Sequence, residues 1–104
     1  MKITIAGLLS IIAVAALAHS ARAADAGNGE RMARRWCASC HLVAPDQTRG
    51  YTQAPPFSEI AKKPGFDAAK LALFLLLPHP LMPDMNLSRA EAADLAAYIA
   101  GQGK

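Results

Sequence analysis

Two cysteines and a histidine, in the run Cys37-Ala38-Ser39-Cys40-His41, constrain this chain more than any other stretch of it. The C-x-x-C-H spacing is that of covalent haem attachment of the c type. Three residues apart, the cysteines fall on neighbouring positions of one helical turn, so both thiols can face one flat partner and form thioethers with its two vinyl groups. His41 follows directly and is placed to ligate the iron from one side. The iron then needs a sixth ligand. The identity of that ligand separates an electron carrier from a haem protein that binds gases or peroxide.

A bare C-x-x-C is a weak signal, because thiol oxidoreductases and zinc sites use it too; the histidine directly after it narrows the field. Trp36-Cys37-Ala38-Ser39-Cys40 does look like the tryptophan-led redox loop of thioredoxin-like proteins. That fold sets its motif after a strand, however, and no run here alternates polar and apolar residues as a strand would. A zinc site would have to recruit Cys37, Cys40, His41 and His79, which do not form a familiar pair of ligand pairs.

The first 23 residues read as a signal peptide rather than as part of the fold. Met1 and Lys2 are a short positive start, Ile3 to Leu17 are almost purely apolar, and Ala21-Arg22-Ala23 is a small-x-small cleavage pattern. An apolar run of about 15 residues is short for a bilayer core that needs about 20. Cleavage after Ala23 is therefore expected, leaving residues 24–104 as one exported domain, without an integral membrane segment, in the periplasm. An uncleaved signal would instead be a membrane tether.

Export suits the cysteines, since c-type haem is attached outside the cytoplasmic membrane. With Cys37 and Cys40 as the only cysteines, no thiol is left for a structural disulfide. From Ala24 onward the chain has nine Lys and Arg against eight acids, a net of +1. No basic run with interleaved aromatics remains, so nucleic acid is not an expected partner. So small a domain has a marginal core, and a covalent cofactor would serve as its staple.

The pattern after the signal predicts helices joined by loops. Asp25 to Gly29 is turn-rich, with Asp25 and Asn28 as candidate caps, and Glu30 to Cys37 reads as a helix that delivers the haem motif at its end. Leu42 to Pro56 is a long irregular loop expected to cover the side of His41, with Arg49 and Tyr51 as candidate partners of a haem propionate. Phe57 to Lys63 suits a short helix, and Asp67 caps another that runs to Leu77. Leu71 to Leu77 is apolar nearly all round, which predicts a helix buried on most sides. Ser88-Arg89-Ala90-Glu91 is a capping box opening a last helix to about Ala100. Its stripe of Ala92, Leu95, Ala96 and Ile99 is expected to meet Met32, Ala33 and Trp36 of the first helix.

Four side chains compete for the sixth position on the iron. Met82 sits among Pro78, Pro80 and Pro83, which pre-set the backbone on which a ligand would rest. Met85, less constrained, is the understudy. His79 between two prolines would give a bis-histidine iron. Met32, five residues before Cys37, reads as core. A methionine opposite a histidine raises the reduction potential and leaves no vacancy for oxygen or peroxide, whereas a labile or open site would permit gas or peroxide binding.

Taken together, Trp36-Cys37-Ala38-Ser39-Cys40-His41, Ala54-Pro55-Pro56-Phe57 with Ile60-Ala61, and Met82-Pro83 followed by Leu87-Ser88 and Ala93 to Ile99 resemble a class I c-type cytochrome of the short bacterial kind. The resemblance covers nearly all of residues 24–104. It implies an all-α fold, a small helical bundle around one covalently bound haem c, with the first and last helices crossing near the haem edge. It also implies that Cys37 and Cys40 bear the haem, that His41 and Met82 are the axial iron ligands, and that the protein is a monomeric electron carrier rather than an enzyme. Its partners would be a redox donor and acceptor such as a dehydrogenase, reductase or oxidase. The second methionine, Met85, is a departure that competes with Met82.

Overall fold

A computed structural model describes residues 22–49, 54–77 and 80–104. These residues form helices and connecting loops, with no strand among them. The expected propionate partner Tyr51, the alternative ligand His79 and nearly all of the expected signal segment lie outside the described residues.

The first helix, α1 (Ala26–Met32), starts four residues earlier than its apolar pattern predicts. Asp25 is the cap: its carboxylate accepts from the Asn28 amide at 3.0 Å and answers one of the orphan donors of the first turn. Gly27 and Gly29 read in sequence as breakers, yet both are helical. At Gly29 the reason is tertiary. A Cβ there would collide with the backbone carbonyl of Asp94 and come within 2.9 Å of Tyr98 Cβ, so glycine is what allows the last helix to approach. From Ala33 to Cys37 the helix continues as a wider π turn that ends on the first cysteine.

Two short helices follow. The helix α2 (Phe57–Lys62) opens after Pro56, and α3 (Ala68–Leu75) is capped by Asp67, whose carboxylate accepts from the Lys70 amide at 3.0 Å. The expectation that this apolar helix is buried on most sides is not met: none of its residues is fully buried, and Leu73 and Phe74 are half or more exposed, as is Leu77 just beyond it. Among the described residues only α4 packs closely on it, so its apolar circumference divides between a half-buried side at Leu71 and Leu75 and an open one. Periodicity reports that a helix is apolar; it does not report how many neighbours the fold supplies.

The last helix, α4 (Arg89–Gly101), carries the reciprocal capping box at Ser88 and Glu91, with hydrogen bonds of 2.8 and 3.1 Å. Its apolar stripe, Ala92, Leu95, Ala96 and Ile99, is buried as expected. The core gathers Met32 and Ala33 of the first helix, Leu95, Tyr98 and Ile99 of the last, Phe57 of α2, and Val43 from the loop. Trp36 is not enclosed with them; it stays about one-third exposed, with the Arg35 guanidinium 5.7 Å from its ring centre.

Candidate functional site

The cysteine pair sits where the first helix ends. Cys37 closes the π turn, and its carbonyl accepts from both the Cys40 amide at 3.1 Å and the His41 amide at 2.8 Å. One carbonyl thus folds the motif into a single tight turn. Both thiols are free, Cys37 half-buried and Cys40 exposed. Burial pushes the Cys37 thiol up to about 11, and neighbouring Cys40 adds to the shift. A thiol-exchange site lowers the pKa of its attacking cysteine, so this environment argues against the redox-loop reading. Among the described residues, no three His, Cys, Asp or Glu side chains gather as a metal-binding group, and His79, the fourth ligand a zinc site would recruit, lies outside them.

His41 is fixed from two sides. Its Nδ1 lies 2.7 Å from the carbonyl of Pro55, and since a carbonyl only accepts, Nδ1 carries the proton. That leaves the lone pair on Nε2 for a metal, with the carbonyl orienting the ring as an outer partner. The Phe57 ring lies tilted, 5.4 Å from the imidazole, and the Tyr98 ring meets Phe57 edge-on at 6.3 Å, so the histidine is backed by a chain of aromatic contacts reaching α4. The loop after it is tied down by the Phe57 amide donating to Leu42 at 2.9 Å and by the buried Tyr98 hydroxyl donating to Val43 at 2.7 Å. The expectation that the 42–56 loop covers the histidine is met at Pro55.

The motif faces a cleft with largely apolar walls. Cys37, Cys40 and His41 line it, as do Ile60, Leu71 and Phe74, Leu95 and Ile99, and both Met82 and Met85. The two methionines are half-buried and come from the irregular segment before α4. Met32 belongs to the buried core instead, as its place on the first helix suggests. Leu81, next to Met82, holds a left-handed backbone with φ of 74° and a fully exposed side chain. The residues present fit a covalently held haem: two thiols on one turn, an imidazole with a free nitrogen, thioethers from a second segment, and apolar side chains between them.

Three features have no signal in the sequence motif. The Pro55 carbonyl is a backbone group, readable only as one of several proline-rich positions. Gln47 sits in a turn, yet its amide reaches four backbone groups around the motif. Asp94, on the apolar stripe's own helix, is buried and accepts from the Asp25 amide at 2.7 Å and from the Asn28 side chain at 2.9 Å. Those bonds hold its carboxyl below the ordinary aspartate range, the Asp25 amide contributing most.

Over 99 residues, 95% of both chains, the sequence is 50% identical to cytochrome c-552 of Bradyrhizobium diazoefficiens. No protein-family model matches the chain. No solved structure matches it either.

Proposed function

The chain belongs to the class I c-type cytochromes, and we propose that it is an exported, periplasmic, monomeric carrier of single electrons whose iron is held between His41 and Met82. Its cofactor is covalently bound haem c and its work is electron transfer between redox partners. The finer assignment rests on one observation above the others: the C-x-x-C-H turn and the Met82 segment line the same apolar cleft.

Bound haem supplies an iron that takes up and gives back one electron. Cys37 and Cys40 supply the thioethers that hold it. His41 offers Nε2 while Pro55 keeps Nδ1 protonated and the ring oriented. Met82, with Met85 as the understudy, would offer its thioether as a second ligand to the iron, a ligand type that would favour the reduced state and shut out small ligands. Ile60, Leu71, Leu95 and Ile99, with the half-exposed Phe74, would give the bound group a largely apolar wall on this side.

Export is supported by the signal pattern ahead of Ala24, and no helix among the described residues is long and apolar enough to cross a membrane. The protein acts as a carrier, not as a catalyst, and hands electrons between a donor and an acceptor such as a dehydrogenase, reductase or oxidase. A redox titration of the matured protein tests this reading. A reversible one-electron transition, low-spin in both states and without rapid cyanide binding at neutral pH, is the expected result. Rapid binding of cyanide or carbon monoxide would contradict it and favour a labile sixth ligand.

A further inference from the structure

We propose that Gln47 is a positioning residue for the axial histidine, locking the backbone of the attachment turn so that His41 presents its imidazole in one orientation. The proposal deepens the His41 reading above and rests on it.

Where α1 and its π turn end, the last carbonyls have no partner along the helix. Ala38, the C-cap inside the C-x-x-C, is one such residue, and His41 follows three residues on, in the loop. The two N–H groups of the Gln47 side-chain nitrogen are shared among the Ala38 and His41 carbonyls, at 3.0 Å each, and that of Arg49, at 2.6 Å. Its side-chain oxygen accepts from the Val43 amide at 2.8 Å. One primary amide therefore bridges the attachment turn, the ligand residue and the strand of loop that leaves it, using its donors and its acceptor together.

The clamp is itself held in place. Gln47 closes a β-turn with its amide 3.2 Å from the Ala44 carbonyl, and Pro45 stands at the position where a fixed φ favours such a turn. The preceding residue, Asp46, meets the Arg34 guanidinium at 3.1 Å, which fastens the turn to the helix that carries the cysteines. Pro55 controls the imidazole ring and Gln47 controls the backbone beneath it. Neither contact is part of the Gly29–Asp94 crossing, so loss of the clamp should loosen the site before it loosens the fold.

Gln47→Met removes every one of these hydrogen bonds at similar length, while Gln47→Glu keeps an acceptor for Val43 and loses the donors to Ala38 and His41. Matured, haem-bearing protein is unfolded in guanidinium and followed both by haem absorption and by the helical circular dichroism signal. Wild type is expected to lose both together. In either variant the low-spin haem spectrum is expected to disappear at a lower denaturant concentration than the helices. Its loss after mixing to a fixed low denaturant concentration should be about tenfold faster, the factor expected when the net loss across these part-buried bonds amounts to about one hydrogen bond. If the two signals stay coincident in both variants, or if Gln47→Glu behaves as wild type, the proposal is overturned. The wild-type spectrum alone reports the ligand reading and the difference from the variants reports Gln47, so the two can fail separately.

Discussion

Gly29 rests its bare α-carbon against the backbone carbonyl of Asp94, and the side chain of Asp94 reaches past it to the Asp25 amide and the Asn28 side chain. The same short stretch of α4 thus meets the start of α1 through both its main chain and its carboxylate. The first helix is set at a fixed height on the last, and the cysteines at its far end inherit that placement.

A methyl group at position 29 has nowhere to go, because the nearest atoms it would strike are Asp94 backbone. Gly29→Ala is expected to cost about 3 kcal/mol, from overpacking at a crossing that cannot shift without moving a helix. Gly101, at the end of α4 with open space around it, is the control. Gly101→Ala should stabilise by about 0.5 kcal/mol through the entropy of the unfolded chain. Guanidinium unfolding of both variants measures the contrast.

The Asp94 carboxyl is held below the ordinary aspartate range by the two hydrogen bonds it accepts. A depressed folded-state pKa means stability that is fully present above the unfolded value, near 3.9, and is lost as pH falls through the lower folded value. Acid unfolding of the wild type should therefore steepen below about pH 4. Asp94→Asn should be less stable by about 2 kcal/mol at neutral pH, since its amide group meets a donor where the carboxylate accepted. Its stability should fall less between pH 5 and the acid transition, and parallel pH titrations of unfolding read the difference.

Tyr98 donates its hydroxyl to the Val43 carbonyl with both groups buried. Tyr98→Phe keeps the ring against Phe57 and leaves that carbonyl without its donor, so a loss of about 1.5 kcal/mol is expected, with the haem spectrum unchanged. A shift in the spectrum would show that the aromatic contacts tune His41 directly.

Local chemistry was readable in the sequence wherever a short pattern carries its own geometry. The Ser88–Glu91 capping box, the Asp67 cap and the Cys37–His41 turn are of this kind, because each is satisfied within four residues. The all-α class follows from the same local patterns, and the similarity to a known cytochrome c supports it independently. What depends on a distant neighbour was not readable. Gly29 reads as a breaker until Asp94 stands against it, and Leu73 reads as core until α3 proves to have an open side. Gln47 and Pro55 belong to this second group, since loop residues acquire partners only when the chain has folded back on them.

Absorption spectroscopy of the matured protein, oxidised and reduced, with Met82→Ala and Met85→Ala alongside, tests the proposed ligand pair most directly. Wild type should carry covalent, low-spin haem with the weak methionine-to-iron band at the red end of the spectrum. Only Met82→Ala should lose that band and bind cyanide quickly. Loss of the band in Met85→Ala with its retention in Met82→Ala, or a high-spin wild type, would contradict an iron held between His41 and Met82.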